Sequence, residues 1–157
     1  MADEIQAITL YLELEKSRFG EDFEFHLEIG SGLSTNSIYL PSMIIQPFVE
    51  NAVKHGLLHQ TGQKFLRVSF REEGNLLVIE VDDNGIGRKR SEELNRQRQE
   101  RHQSFSVQAN KKRIDILNAG LNHIGVGYTD KYDAQGISVG TNVKISLVKI
   151  YKTSDEQ

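Results

Sequence analysis

The spacing of apolar residues along the chain predicts a mixture of helices and strands. Residues 3–19 are predicted to form a helix that ends at Gly20, because their apolar side chains recur at helical spacing. Four of these side chains form one stripe and two widen it: Ile5, Ile8, Leu12 and Phe19, with Leu10 and Leu14. Two further helices are predicted, one from Ser42 as N-cap to Gly56 as C-terminal stop, and one over residues 107–121.

The strands are predicted from alternation. Residues 23–29 alternate between apolar and polar side chains, and "KFLRVSFR" and "LLVIEVDD" flank "EEGN", which is typical of a hairpin. A last strand is predicted around residues 136–150, and residues 85–106 are predicted to be a mobile loop or a loop with a short helix. These elements indicate an α+β fold in which helices cover one face of a mostly antiparallel sheet.

Composition narrows the class of protein. The 157 residues suffice for one domain, and the apolar share of 38% and charged share of 26% are typical of a globular protein. A net charge of −3 argues against general binding to nucleic acid, and the absence of cysteine excludes disulfides and thiolate metal sites. We find no apolar run long enough for a bilayer and no signal peptide, and therefore expect a cytoplasmic domain.

Candidate chemistry is concentrated in the second predicted helix, in "QPFVENAVKHG". Asn51 lies three residues before Lys54 and four before His55, so the three side chains share one helical face. A carboxamide oxygen can bind Mg²⁺ and an ammonium can neutralise phosphate, so this face would suit the triphosphate of a nucleotide. The alternative is a helix end with solvated polar groups.

A second cluster follows a hydrophobic strand, in "VIEVDDNGIG". Gly85 and Gly87 permit positive φ and a close approach of backbone to a ligand, and the carboxylate of Asp83 can accept a hydrogen bond from an exocyclic amine. The alternative is an ordinary turn rich in Asp, Asn and Gly. A weaker third feature is Gly140 with Thr141, which opens the last predicted strand.

Taken in this order, the segments resemble the ATP-binding catalytic domain of LytS-type sensor histidine kinases, in the GHKL (Bergerat-fold) ATPase superfamily. "LPSMIIQPFVENAVKHGL" resembles the N box of that family, "VDDNGIG" its G1 box, "KKRIDILN" the helix after its lid, and "GTNVKI" its last nucleotide-side strand. The resemblance implies a two-layer α/β sandwich with a mixed sheet and a flexible ATP lid. It also implies that residues 1–20 end a dimerisation or linker helix, residues 21–152 form the ATP-binding domain, and residues 153–157 are a tail.

The resemblance implies ATP and Mg²⁺ as ligands and assigns roles on the phosphate side. Asn51 would coordinate Mg²⁺, Lys54 would contact phosphate, and His55 would line the same pocket. Glu50, about 100° around the helix from Asn51, would lie at the edge of the site and help to position the acceptor histidine, or would be a solvated residue.

Other roles follow on the base side. By resemblance, Asp83 would accept a hydrogen bond from the adenine amino group, and Gly85 and Gly87 would leave room for the nucleotide. Thr141 would lie near the adenine and contact it through a water molecule. Ser106 would offer a backbone N–H to phosphate, although the family commonly has glycine there.

The chain departs from the family pattern beside the lid. Ser104 and Ser106 replace common glycines, and Ala109 replaces a common asparagine, so a degenerate module with weak nucleotide binding, acting as a scaffold or regulator, is the alternative function. The charged run "RKRSEELNRQRQERH" would either close over phosphates or remain a solvated segment.

The resemblance implies a protein-histidine kinase in a two-component system. Gyrase-like and MutL-like ATPases, and anti-sigma serine kinases, have a glutamate four residues before the N-box asparagine, where this chain has Pro47. None of the five histidines lies in the family's acceptor motif, so the acceptor would belong to the dimerisation domain of a longer parent. We expect that parent to be a homodimer anchored in the inner membrane, with a response regulator downstream and no nucleic-acid partner.

Overall fold

The structure, a computed structural model, describes residues 1–97, 102–120 and 123–151, with the side chains of all of these except residues 97 and 102–108. The helices are α1 (Ala2–Phe19), α2 (Gln46–Asn51), α3 (Arg88–Gln97) and α4 (His102–Asn118), with a 3₁₀ turn at Gly20–Asp22 and a π-helical turn at Ala52–Leu57. The strands are β1 (Phe23–Ile29), β2 (Ile38–Tyr39), β3 (Lys64–Glu73), β4 (Leu76–Asp83), β5 (Ile124–Tyr132), β6 (Ser138–Val148) and β7 (Ile150–Tyr151).

The main sheet has five strands in the order β1-β3-β4-β6-β5. The β1–β3 pair is parallel and the other three pairs are antiparallel, while β2 and β7 form a separate two-stranded sheet. The prediction of a mixed, mostly antiparallel sheet combined with helices is therefore confirmed.

One face of this sheet carries the core. The apolar residues of the central strands alternate, so one set is buried and the set between them remains polar. The buried set meets apolar side chains of α1, α2 and the π-helical turn; it includes Leu66, Val68, Phe70, Ile79, Val81, Val143 and Ile145, with Ile8, Leu12, Val49 and Val53 from the helices. The opposite face carries cross-strand ion pairs such as Arg71–Glu80, at 2.8 Å between Nη2 and Oε1. The layers are thus helix on sheet, as predicted.

The helix around the N box begins later than predicted. We expected Ser42 as N-cap, but α2 begins at Gln46, because Met43 has a left-handed φ of 56° that no helix accommodates. Pro47, in the first turn of α2, suits a helix start there. The helix then continues as the π-helical turn through the predicted stop at Gly56.

Two other segments differ from the expectations. Strand β5 was not predicted, because Gly125 and Gly127, which are disfavoured in strands, separate its alternating residues Ile124, Val126 and Tyr128. In residues 85–106, predicted as a mobile loop or a loop with a short helix, α3 at Arg88–Gln97 agrees with the second alternative, whereas α4 begins at His102, earlier than expected. None of the described helices combines the length and apolar character needed to cross a membrane.

Candidate functional site

A cleft of about 1270 Å³ lies between the N-box helix, the ends of the central strands, and helices α3 and α4. The N-box helix is defined here as α2 with its π-helical continuation, Gln46–Asn51 and Ala52–Leu57. Polar side chains enter the cleft from each side; among the described residues they include Asn51, His55, Asp83, Arg88, Ser91, Asn95, Asn110, Lys111, Asn118 and Thr141. Its apolar wall includes Phe48, Ile114, Val126 and Val143. This combination suits a ligand with one flat apolar part and one charged part.

Among the described residues that line the cleft, Asp83 is the most buried ionisable group. It ends β4, its residue is 4% exposed, and its Oδ1 accepts a hydrogen bond of 2.8 Å from the backbone N of Gly85. In the sheet register it lies directly opposite Thr141 of β6, so the two predicted base-side residues come together. Burial raises the pKa of Asp83 to about 6, although the Gly85 hydrogen bond and the charge of Lys131 oppose the rise.

The loop after β4 is fixed against the N-box helix. The backbone N of Ile86 donates to the carbonyl of Gly56 at 3.2 Å, and a Cβ on Gly85 would overlap the Gly56 backbone. Gly85 therefore serves this helix contact and is not among the described residues that line the cleft. Gly87 does line the cleft, and its φ of +77° is one that glycine adopts without strain.

Asn51 and His55 both line the cleft, as the shared helical face predicted. Asn51 is the last residue of α2, and no hydrogen bond joins its side chain to another described residue, so its amide is available to a ligand. His55 lies in the π-helical turn, next to the Gly56 that contacts the β4 loop. The helix thus brings Asn51 and His55 to one wall, with Asp83 at the end of the cleft where the loop is fixed.

Lys54 and Glu50 have a different position. The Lys54 ammonium donates to Glu50 Oε2 at 2.7 Å, and Glu50 Oε1 accepts from Gln46 Nε2 at 3.0 Å. Although burial alone would raise the pKa of Glu50, these two hydrogen bonds hold it below its usual value. Neither residue is among the described residues lining the cleft, so a phosphate contact by Lys54 requires its ammonium to leave Glu50.

The departures beside the lid fall in α4. Ser104 and Ser106 lie in its first half, where the side chains are outside the described residues. Ala109 is exposed, but the next residue, Asn110, lines the cleft together with Lys111. The side-chain amide that Ala109 cannot supply is therefore available one position later. The sequence offered a signal for Asn110 and Lys111, since "ANKK" has an amide next to an ammonium in a segment predicted to be helical.

The sequence analysis did not predict an ion pair that joins α3 to β5. Arg88, the first residue of α3, donates from Nε and Nη2 to the two carboxylate oxygens of Asp130, at 2.8 and 2.7 Å. Its guanidinium also lies over the Tyr128 ring, 4.8 Å from the centroid. Both Arg88 and Tyr128 line the cleft. Nothing in the sequence indicates this contact, because Arg88 and Asp130 are far apart in the chain and β5 has no strong strand pattern.

The described part of the chain holds no cluster of three or more His, Asp or Glu side chains that could form a protein-based metal cage. The amide of Asn51 is nevertheless suited to a shared ion. Mg²⁺ is often bound by one or two protein oxygens together with substrate phosphates and water. The residues present thus fit a metal that enters with a phosphorylated ligand.

The raised pKa of Asp83 predicts a pH-dependent stability. Between about pH 4 and pH 6 the folded state keeps a proton on Asp83 that the unfolded chain has lost, so stability falls as pH rises through this window. The loss is expected to reach about 2–3 kcal/mol and then level off above the folded pKa. Chemical unfolding of the wild-type chain and Asp83→Asn from pH 4 to 7.5 measures it. A stability difference between the two that does not change with pH would contradict the assignment.

Comparisons with known proteins identify relatives by sequence and by fold. No model of a protein family matches the chain. The chain is 38% identical to Sensor histidine kinase BtsS of Escherichia coli (strain K12) over 84 residues, which is 54% of this chain and 15% of that protein. It is 33% identical to Sensor protein LytS of Staphylococcus haemolyticus over 87 residues, or 55% of this chain and 15% of that protein. The chain thus spans a small part of the length of these curated relatives.

Among solved structures, the chain is similar to the catalytic domain of histidine kinase ThkA, with a TM-score of 0.62 and 10% identity, over 96% of this chain and 94% of that one. The fold is therefore that of a histidine kinase catalytic domain. The recognition of the LytS-type sensor histidine kinases from the sequence is confirmed, since the sequence relatives are sensor histidine kinases and include LytS.

Proposed function

We propose that the chain binds ATP in the cleft and donates its γ-phosphate to a histidine outside this chain. The observation that carries the proposal is the meeting of Asn51 and His55 with Asp83 and Thr141 around one cleft of about 1270 Å³. Asp83 offers a buried acceptor for an exocyclic amine, and Val126 and Val143 offer an apolar wall for a flat base. The sequence similarity to sensor histidine kinases supports the same function.

The phosphates would extend along the N-box helix toward α4. Asn51 would hold Mg²⁺ through its amide oxygen, and the metal would neutralise charge on the phosphates. Lys111 lines the opposite wall and supplies an ammonium there, while Lys54 would join it after leaving Glu50. His55 would line the phosphate side, and the Ser106 backbone N–H would contribute from α4.

The transfer step needs positioning more than a protein nucleophile. A neutral imidazole nitrogen of the acceptor attacks the γ-phosphorus while the bond to the β–γ bridging oxygen breaks, giving phosphohistidine and ADP. Pro47 offers no carboxylate that could activate water or a hydroxyl, which favours a histidine acceptor. The acceptor would lie on a dimerisation domain of a homodimeric, membrane-anchored parent, joined through α1, and a response regulator would receive the phosphate.

Calorimetric titration of the chain with ATP and ADP, with and without Mg²⁺, tests the proposal. Binding of both nucleotides, with ATP affinity raised by Mg²⁺, is the expected result. The same titration distinguishes the degenerate module, which would bind neither nucleotide measurably. Rapid ATP hydrolysis by the chain alone would instead indicate a GHKL ATPase that uses water as acceptor.

Asn51→Ala is expected to abolish the Mg²⁺ dependence of ATP binding without unfolding the chain. The side chain lines the cleft and has no hydrogen bond to another described residue, so its removal takes away a ligand and not a structural contact. Asn36→Ala, in an exposed loop, is the matched control. Titration of both variants with ATP at several Mg²⁺ concentrations gives the answer. A folded Asn51→Ala chain that keeps the wild-type Mg²⁺ dependence would show that Asn51 is not a metal ligand.

A further inference from the structure

A buried glutamate in the first turn of α1 contacts the start of the N-box helix. Glu4 is 9% exposed, and its Oε1 accepts hydrogen bonds from the backbone N of Ile45, at 2.7 Å, and from that of Gln46, at 3.2 Å. These residues are 41 and 42 positions away in the chain. One carboxylate oxygen therefore joins α1 to the first turn of α2.

The N-box helix cannot supply this contact from its own sequence. The first amides of a helix have no partner within it, and they are usually satisfied by a polar side chain at the N-cap. Here the N-cap residue is Ile45, which makes no side-chain hydrogen bond. The Glu4 carboxylate takes that place, and its negative charge also suits the positive end of the helix dipole.

The segment before α2 is held from a second direction. Met43 has a left-handed φ of 56°, and the guanidinium of Arg113 in α4 donates to the carbonyl of Ser42. Residues 42–46 are thus a junction at which α1 and α4 both fix the backbone that leads into α2. Asn51 follows Gln46 by five residues, about 8 Å along the helix, so the fixed end and the cleft residue belong to one short helix.

We propose that Glu4 is a positioning residue, whose carboxylate fixes the N-box helix relative to α1 and thereby sets the place of Asn51 in the cleft. Any movement of α1 would then reach the phosphate side of the cleft through one pair of hydrogen bonds. The base side would follow less, because Asp83 and Thr141 are held by the pairing of β4 with β6, and the loop after β4 contacts the N-box helix at Gly56, near the end opposite to Glu4. This inference rests on the proposed function, since it assigns Asn51 to the phosphate and metal end.

The proposal is tested by comparing a ligand that carries phosphates with one that has only the base and the sugar. Mg-ATP and adenosine are titrated into wild type, Glu4→Ala, Glu4→Gln and the control Glu13→Ala, an exposed glutamate of the same helix. In Glu4→Ala, Mg-ATP should bind about threefold to tenfold more weakly, the effect of one ordinary hydrogen bond, while adenosine binding stays at the wild-type level. Glu4→Gln should recover most of the affinity, because its amide oxygen still accepts. Equal losses for Mg-ATP and adenosine, or no loss for either, would overturn the proposal.

A measurement without nucleotide keeps this test separate from the proposed function. Amide hydrogen exchange of the free chain should accelerate over residues 45–57 in Glu4→Ala, and remain at the wild-type rate in the central strands and in Glu13→Ala. If the alanine variant does not fold, Glu4→Met, which fills similar space without an acceptor oxygen, removes the same two hydrogen bonds and takes its place. Unchanged exchange in residues 45–57 would refute the link even where Mg-ATP binds. Selective acceleration in a chain that binds no nucleotide would refute the proposed function and leave the link in place.

Discussion

Asp83→Asn is expected to weaken ATP and ADP binding by about tenfold to a hundredfold, because a buried hydrogen bond to a charged group contributes about 1.5–3 kcal/mol. The asparagine is close to isosteric, and its Oδ1 can still accept from the backbone N of Gly85 as Asp83 Oδ1 does. Its amide nitrogen then takes the remaining carboxylate position. That nitrogen presents a donor where the adenine amino group is also a donor.

The same substitution should change the base preference. The wild-type chain should bind GTP poorly, since the guanine carbonyl would meet a carboxylate acceptor, whereas the amide of Asp83→Asn can donate to that carbonyl. The ratio of ATP to GTP affinity should therefore fall in the variant. Asp82→Asn is the control, because Asp82 belongs to the opposite face of the sheet, where its Oδ1 accepts from Lys131 Nζ at 2.7 Å. Equal affinity of the wild-type chain for ATP and GTP would show that Asp83 does not recognise the base.

The sequence predicted those features of the site that depend on local patterns. Asn51 and His55 were assigned to one helical face from their spacing, and both line the cleft. Asp83 and Thr141 were assigned separately, one as the end of a strand and one as the start of another. Antiparallel pairing of β4 with β6 brings them opposite each other. Their meeting needed the topology, but each side chain was identifiable from its own segment.

What the sequence did not predict depends on contacts between distant segments. Glu4 was a polar residue on an amphipathic helix, and its role as the cap of α2 exists only after α1 packs beside residue 45. The start of α2 was misplaced for the same reason, since Ser42 had the local features of an N-cap while the amides are capped from elsewhere. The hydrogen bond of Lys54 to Glu50 is different, because it joins residues four apart on one helix and is a pairing that local spacing allows; the phosphate contact of Lys54 stays a prediction.

The 157-residue chain alone is expected to bind Mg-ATP and yet to incorporate no phosphate into itself. The proposed transfer needs an imidazole in line with the γ-phosphate. His55, the one histidine among the described residues that line the cleft, lies on the wall itself beside Gly56. A wall residue is held by its helix and cannot approach as an independent nucleophile. Incubation with γ-labelled ATP and Mg²⁺, followed by acid and base treatment, detects the acid-labile, base-stable phosphate of phosphohistidine.

Joining the chain through α1 to dimerisation helices that carry the acceptor histidine should produce that label. The covalent link replaces a bimolecular encounter with a high effective concentration, so the joined protein should react far faster than the same two parts mixed at micromolar concentration. Asn51→Ala in the joined protein is the control, because it keeps the acceptor and the link while removing the proposed metal ligand, and it should lose the label. Stable phosphohistidine on any of the five histidines of the isolated chain would contradict the proposal that this chain is the donor half of the reaction. Label in the joined protein that persists in Asn51→Ala would show that transfer does not pass through this cleft.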